Sequence, residues 1–280
     1  MSLLRRGDRG EQVRLLQERL NQQGASLTVD SHFGETTEAA VRAFQRHTGL
    51  VNDGVAGRKT QAALRGEDCI GMLRQSHLIS AAQRLGVDLA TVLAVNEVES
   101  LGAGFLADGR PSILYERHIM YRRLRQPRHP TNDLASLQLY VEALATTQPN
   151  LVNPRPGGYV GGSAEHQRLA DARVIDDTCA LESASWGAFQ IMGYHAVRLG
   201  YASVQDFAQR MTQDENAQLD AFVRFIEADP ALHKALRKRD WAVFAKGYNG
   251  PDYQRNRYDT KLARAYQRHA AAGCTAPEVA

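Results

Sequence analysis

The stretch LATVLAVNEVES, Leu89 to Ser100, has the pattern of one helix that carries two carboxylates into its last turn. At about 100° per residue, Glu99 lies about 25° from the centre of the apolar face and Glu97 about 135° from it. A carboxyl group on the buried side of a helix is costly to ionise, so we expect Glu99 to have a raised pKa and to suit general acid catalysis. Glu97 is expected to face solvent, and Asp88 to cap the helix. The apolar face consists of Leu89, Val92, Leu93, Val95 and Val98.

A structural role is the alternative for Glu99. The helix is then rotated, or the carboxylate is buried and paired with an arginine. Spacing alone does not separate these two interpretations.

Composition indicates two globular domains. The chain has 280 residues and no uninterrupted apolar run of the roughly 18 residues that a membrane span needs, so no membrane insertion is expected. The N-terminus, MSLLRRGDRG, lacks the apolar core of a secretory signal, which predicts synthesis in a cytoplasm. Cys69, Cys179 and Cys274 are widely spaced, so free thiols are expected and no metal site. The net charge of +3 arises in residues 1–66, and this excess is too small to indicate nucleic-acid binding.

An internal near-repeat organises residues 3–65, in which DSHFGETTEAAVRAF aligns with DGVAGRKTQAAL. Each copy predicts a turn followed by a threonine that caps a helix. The segment before them, GDRGEQVRLLQERLNQQG, has one apolar face and ends at Gly24, so the first 66 residues predict a three-helix domain. The repeated positions are Asp30, Gly34 and Thr37, then Asp53, Gly57 and Thr60, and the apolar face is Val13, Leu16 and Leu20.

These segments resemble the peptidoglycan-binding module found on many cell-wall hydrolases. The resemblance implies a wall-targeting domain at residues 1–66, whose groove accepts glycan or stem peptide around Phe33, Phe44 and Gln45. The alternative is that the two phenylalanines belong to the domain core. A linker at 67–76 and a second domain at 77–280 are expected to follow.

The second domain is predicted to be mostly helical with one small β element. Asp108 begins a turn signal, and the alternation from Ser112 to His118 predicts a short strand, so a hairpin is expected directly after the Glu99 helix. A further helix is expected near residues 134–147. Beyond Glu165 the pattern is helical almost throughout.

Three short motifs stand in a fixed order in this domain. The first consists of Glu99, Ser100 and Gly102. The second is SASWGAFQIMG at residues 183–193, and the third is KGYNGP at residues 246–251. Together they resemble the active-site signature of the lysozyme superfamily, in particular goose-type lysozymes and soluble lytic transglycosylases, where the pieces read roughly ES.G, G.MQIM and AYN.G. The segments GFLADGRPSILYERH, YVGGSAEHQRLADA and YDTKLARAYQ also resemble the N-acetylmuramidase domain of modular phage endolysins.

The resemblance implies hydrolysis of the β-1,4 bond between N-acetylmuramic acid and N-acetylglucosamine, with Glu99 as the acid. It implies that Gln190 hydrogen-bonds substrate or the catalytic water and that the Tyr248 hydroxyl contacts the catalytic carboxyl. It also implies that Asn249 shapes the turn and binds substrate. The structural alternatives are that Gln190 satisfies backbone groups and that Tyr248 is a core aromatic residue. The implied fold is mostly α, with a small three-helix wall-binding domain and an α+β lysozyme-like domain that has a short β-hairpin.

Such a reaction also needs stabilisation of an oxocarbenium-like state by a second carboxylate, a positioned water or the substrate's own acetamido group. Glu116 in the predicted strand, Asp108 in the turn and Glu165 are the candidates for that carboxylate. Glu165 follows a Gly-rich loop and is expected to lie near bound sugar. The alternatives are an ion pair of Glu116 with Arg117 or His118, and simple turn chemistry for Asp108.

The resemblance implies bacterial peptidoglycan as the partner, a monomer, and no cofactor. We expect the chain to accumulate in the host cytoplasm until lysis and then to reach the wall in the periplasm with the help of a holin. One alternative is a lytic transglycosylase that forms 1,6-anhydro products, although KGYNGP has lysine where those enzymes usually have alanine. The other is a non-catalytic wall-binding phage structural protein, against which the joint presence of Glu99, Gln190 and Tyr248 argues.

Overall fold

A computed structural model describes residues 3–100 and 103–273, so Gly102 of the ES motif and the tail from Cys274 lie outside the described residues. The described chain is mostly helical with one small sheet, which confirms the predicted fold class. The strands are β1 Ile113–Tyr115, β2 Ala184–Trp186 and β3 Ile191–Met192. The helices are α1 Glu11–Gln22, α2 Glu35–Thr48, α3 Arg58–Leu64, α4 Gln75–Leu85, α5 Leu89–Glu99, α6 Arg117–Leu124, α7 Leu134–Thr147, α8 Ala164–Ile175, α9 Asp177–Glu182, α10 Val204–Met211, α11 Glu215–Glu227, α12 Pro230–Lys238, α13 Trp241–Asn249 and α14 Tyr258–Ala271.

The chain divides into two compact units. Of the described residues, the first unit contains 3–100, 103 and 229–273, and the second contains 104–228. The predicted wall-binding domain therefore shares a unit with α4, α5 and the last three helices. The predicted linker at 67–76 remains a prediction; α4 begins inside it, at Gln75.

Helices α1, α2 and α3 surround a small core at the start of the first unit. The face predicted for α1 is buried, because the apolar residues recur at helical spacing. Helix α2 ends at Gly49, whose φ of 70° is a left-handed conformation that glycine adopts without strain. The core consists of Leu4, Val13, Leu16, Leu20, Phe33, Val41, Phe44, Ala56 and Leu64.

A buried glutamine organises each copy of the near-repeat. The Gln45 side-chain amide lies 2.7 Å from an Asp53 carboxylate oxygen and 3.1 Å from the Thr60 hydroxyl, and its carbonyl accepts from the backbone of Gly54. Gln17 holds the first copy in the same way, through Asp30, the His32 carbonyl and Thr37. In each copy the aspartate and the threonine bind the side-chain amide of a buried glutamine. This shared role explains why the two residues recur in the repeat.

The predicted threonine caps are wrong. The N-cap positions of α2 and α3 are Gly34 and Gly57, neither with a side-chain cap. Thr37 and Thr60 stand three residues later, where they are buried and their hydroxyls reach back to loop carbonyls. Burial beside the glutamine gives each hydroxyl better partners than the open end of the helix.

The sheet differs from the predicted hairpin in its location. Strand β1 pairs antiparallel with β2, with Ile113 opposite Trp186, and β2 pairs with β3. The turn at Asp108 closes only one bridge, between Phe105 and Pro111. The SASWGAFQIMG segment therefore forms the β2–β3 hairpin, whereas its pattern had predicted a continuation of the helices. Its turn accommodates Gly187 at φ +74°, a conformation that glycine tolerates best.

Helix α5 is anchored at its N-terminus by Asp88, as predicted. The Asp88 side chain accepts a hydrogen bond from the Thr91 backbone at 2.8 Å, and its second oxygen contacts Arg239 and the Tyr266 hydroxyl, each at 3.1 Å. The helix packs on α4 and α14, and its residues from Leu89 to Val95 are buried. The end that carries Glu99 is thus held at a fixed place in the first unit.

Cys69 and Cys179 are free thiols, as predicted, and Cys274 lies outside the described residues. No single helix in residues 3–100 and 103–273 is long and apolar enough to cross a membrane. Helices α4 and α5 meet those criteria only as a pair, and they are bent by 113°.

Candidate active site

Glu99 occupies the last position of α5 and is half-buried. Its Oε1 accepts a hydrogen bond of 2.9 Å from the side-chain amide of Asn249, the last residue of α13. Two helices therefore end at this carboxyl group. The C-terminus of a helix carries partial negative charge, so both ends disfavour an ionised Glu99.

Burial raises the pKa of Glu99 to about 7, against the opposing effects of the Asn249 hydrogen bond and the positive charge of Lys261. The raised pKa predicted from the helical wheel is confirmed. Because a pKa near 7 keeps a large protonated fraction at neutral pH, this carboxyl group can donate a proton under conditions in which exposed carboxyls are ionised.

Glu97, the other acid of α5, is exposed, as predicted. Its carboxylate pairs with Arg268 and, at 2.9 Å, with Nε2 of His269, both on α14. Burial acts to raise the pKa of Glu97, but His269 and Arg268 hold this pKa below its usual value. The two acids of one helix thus have opposite protonation preferences, and Glu97 has the structural role.

Tyr248 lies beside the Glu99 carboxyl, and its ring stacks on Phe244 with centroids 5.9 Å apart. Burial and the negative charge of Glu99 raise the pKa of the Tyr248 hydroxyl well above its usual value, so the hydroxyl stays protonated. Helix α14 adds Lys261, whose Nζ lies 5.5 Å from the Tyr258 ring centroid. The sequence analysis did not predict a role for Lys261 or Tyr258. Both lie in the YDTKLARAYQ segment, whose resemblance to the muramidase domain could have indicated one.

Glu116 and Asp108, two of the candidates for a second carboxylate, belong to the second unit. Glu116 follows β1, accepts a hydrogen bond of 2.8 Å from the Tyr159 hydroxyl and lies 3.1 Å from His118, which is one of its predicted ion pairs. Asp108 is held by Arg110 at 2.7 Å and by the Ser163 hydroxyl at 2.9 Å. These bonds to Arg110 and Ser163 lower the pKa of Asp108 far below its usual value. Asp108 thus serves the turn.

Glu165 does not face open space, which argues against the predicted contact with sugar. Its side chain is fully buried and accepts hydrogen bonds from the backbone of Tyr115, Val160 and Gly161 at 2.7–3.1 Å. Arg168 pairs with it at 2.7 Å. Burial alone would raise the pKa of Glu165, but these four partners hold it below the usual value. Its carboxylate holds the Gly-rich loop to β1.

Gln190 has φ 51° in the β2–β3 turn. Its amide donates to the Gly187 carbonyl at 2.9 Å and lies 3.4 Å from the Ser112 carbonyl, and its Oε1 accepts from the Ser185 hydroxyl at 2.7 Å. The side chain therefore satisfies backbone groups, as the structural alternative stated. A contact with substrate or water remains a prediction.

The three residues predicted to bind the wall lie inside the N-terminal domain. Phe33 and Gln45 have 0% and 1% of their surface exposed, and Phe44 has 8%. The apolar core encloses both rings, and internal partners bind the Gln45 amide. Their burial argues against the predicted ligand contacts: Phe33 and Phe44 belong to the apolar core, and Gln45 binds Asp53, Gly54 and Thr60.

The structure brings together Glu99, Tyr248 and Asn249, which the sequence predicted from separate motifs. Gln190, Glu116, Asp108 and Glu165 lie in the second unit. Within residues 3–100 and 103–273, no group of three metal-binding side chains converges.

Comparison with known proteins identifies what the two parts of the chain are similar to. Residues 88–270 match the family model described as N-acetylmuramidase, and residues 9–64 match that of a peptidoglycan binding domain. The crystal structure of Burkholderia AP3 phage endolysin is 51% identical over 96% of this chain and 100% of that chain, with a TM-score of 0.88. A curated relative, the zinc D-Ala-D-Ala carboxypeptidase of Streptomyces albus G, is 47% identical over 60 residues, which are 20% of this chain and 24% of that protein. The chain belongs to the N-acetylmuramidase family and carries a peptidoglycan-binding domain before its muramidase domain.

Proposed function

We propose that the chain is a phage endolysin that hydrolyses the β-1,4 bond between N-acetylmuramic acid and N-acetylglucosamine in bacterial peptidoglycan, with Glu99 as general acid. The observation that carries this assignment is a half-buried carboxyl group with a pKa of about 7 at the meeting point of two helix ends. The family matches and the likeness to a phage endolysin support the substrate and the role in lysis.

Protonated Glu99 gives its proton to the glycosidic oxygen as the bond between that oxygen and the sugar carbon breaks. The leaving sugar gains a hydroxyl, and the other sugar passes through an oxocarbenium-like state. Water adds to that carbon, and the proton it releases restores the starting state of the site. Glu116 is our candidate for a second carboxylate, because its partners are one tyrosine hydroxyl and one histidine, whereas Asp108 is bound to Arg110.

Substitution of the two α5 acids tests the assignment. Glu99→Gln keeps the size of the side chain but removes the proton, so clearing of purified peptidoglycan should fall by at least about 100-fold. The matched control is Glu97→Gln, which should stay within about threefold of the wild type. If Glu99→Gln clears peptidoglycan normally, the acid has been assigned wrongly.

The pH profile gives a second test. Only the protonated form of Glu99 is competent, so activity should decline above a pH of about 7 and fall roughly tenfold per pH unit beyond it. Initial rates at constant ionic strength measure this decline. A plateau that extends to pH 9 would contradict the assignment.

The released muropeptides identify the bond and the outcome. Mass spectrometry should find a reducing muramic acid end, which a muramidase that uses water produces. A reducing glucosamine end would indicate a glucosaminidase. A 1,6-anhydro end would establish the lytic transglycosylase alternative.

We further propose that the protein is a monomer, that it accumulates in the host cytoplasm, and that it reaches the wall in the periplasm only when a holin opens the membrane. Fractionation of cells that express the chain with and without a pore-forming protein tests the route. Accumulation in the periplasm without that protein would contradict it. Light scattering should give the mass of one chain, 31.0 kDa.

A further inference from the structure

The Asn249 side chain is held at a helix end beside the proposed acid. Helix α13 stops at Asn249 because Gly250 adopts φ 83° and Pro251 follows it. The Asn249 amide nitrogen lies 2.9 Å from Oε1 of Glu99, although 150 residues separate the two in the chain. An amide held on a helix is positioned more firmly than one on a loop.

The direction of this hydrogen bond restricts where the proton of Glu99 can reside. The amide nitrogen of Asn249 is a donor and offers no lone pair, so the oxygen that it contacts must accept. The carbonyl oxygen of a neutral carboxyl group is a better acceptor than its hydroxyl oxygen, so this bond favours Oε1 as the carbonyl oxygen. In neutral Glu99 the proton is therefore favoured on Oε2.

We propose that Asn249 is a positioning residue that fixes the rotamer of Glu99 and keeps its proton on Oε2, the oxygen that protonates the glycosidic bond. This inference rests on the proposed role of Glu99 as the acid. It replaces the predicted role of Asn249 at the substrate with a role that acts through another residue.

The opposite orientation of the Asn249 amide would have the opposite consequence. Its Oδ1 would then accept a hydrogen bond from the protonated oxygen of Glu99 and hold that proton away from substrate. The two orientations differ in their effect on titration, because a donor stabilises the ionised carboxylate and an acceptor stabilises the neutral acid. The other charged or titratable groups that act on this carboxyl are Lys261 of α14, Tyr248 of α13 and, through Tyr248, Tyr258 of α14. All three remain in place when Asn249 is changed.

Steady-state kinetics and pH profiles of Asn249→Ala and Asn249→Asp test the proposal. Loss of the donor should lower kcat by about 10- to 100-fold, with KM within about threefold, because the acid is mispositioned but the sugar contacts remain. The decline of activity at high pH should move upward by about one pH unit in Asn249→Ala. It should move further in Asn249→Asp, which keeps the shape but adds negative charge. Asn256→Ala, an exposed asparagine in the turn after α13, is the matched control and should change neither quantity.

The outcomes separate the roles. A shift of the decline to lower pH means that the amide accepts from Glu99 and overturns the proposal. An unchanged decline with raised KM means that Asn249 contacts substrate, and unchanged kcat and pH profile mean that it has no role in the reaction. Carbon-13 NMR titration measures the change in the pKa of Glu99 without turnover. If Asn249→Ala does not fold, the isosteric Asn249→Asp is measured in its place. If Glu99→Gln is active, the proposed function fails instead, whatever the Asn249 variants do.

Discussion

Replacement of Glu165 by alanine distinguishes a structural carboxylate from one that binds sugar. The side chain is fully buried and holds three backbone N–H groups and one arginine. Its removal leaves those donors without their acceptor. We expect Glu165→Ala to destabilise the second unit strongly.

The magnitude follows from the contacts. Loss of one partner of a buried ion pair costs about 3–5 kcal/mol, and an unsatisfied buried N–H costs about 1–3 kcal/mol. Water that enters the space vacated by Glu165 relieves part of this cost, so we expect a net loss of about 3–5 kcal/mol in the free energy of unfolding. For a protein of this size the loss corresponds to a fall in Tm on the order of 10 °C.

Urea unfolding and thermal melting measure the loss, with Glu142→Ala as the control. Glu142 is exposed on α7 and its side chain accepts a hydrogen bond from Gln138, so its replacement should change stability by no more than about 0.5 kcal/mol. The difference between the Glu165 variant and wild type should also narrow in acid. The pKa of Glu165 is lower in the folded state, so its stabilisation is complete above a pH of about 4.5 and is lost as the pH falls through the folded value.

A fall in Tm with near-normal KM for the protein that remains folded supports the structural role. The reasoning is refuted if Glu165→Ala melts like wild type and its KM for peptidoglycan fragments rises. Glu165 would then contact sugar, as its place after the Gly-rich loop suggested.

Three further outcomes are expected. Gln45→Ala should lower the stability of the N-terminal domain by about 2–3 kcal/mol, because several buried groups lose their hydrogen bonds to the Gln45 amide. Loss of peptidoglycan binding at an unchanged melting temperature would instead indicate that Gln45 contacts the ligand. Gly193→Ala would place a methyl group 2.1 Å from the Leu181 carbonyl oxygen, so thermal melting should show a loss of at least about 2 kcal/mol, and a neutral result would contradict that close packing. Asp108→Asn should keep kcat within about threefold, because Asp108 already serves a turn; a loss above 100-fold would restore it as a catalytic carboxylate.

Local patterns predicted much of the fold. Helix α5 with its Asp88 cap and α7 at Leu134–Thr147 are where periodicity placed them, because apolar spacing and capping depend on residues within a turn or two. The SASWGAFQIMG segment was misassigned because short apolar runs do not distinguish a strand from a helix. Strand β2 forms because β1, about 70 residues away, supplies its hydrogen-bonding partner.

The sequence by itself determined the family, which is encoded in short motifs, and it predicted Glu99 as the acid from the rotation of one helix. Only the tertiary structure decided what the polar side chains bind. Glu165 and Gln45 proved to be buried acceptors and donors of the fold, and Asn249 proved to contact Glu99 across 150 residues. The periodicity of a segment indicates on which face of its helix each side chain lies. Its hydrogen-bond partner depends on which distant element packs there, and that information does not reside in the spacing of residues along one segment.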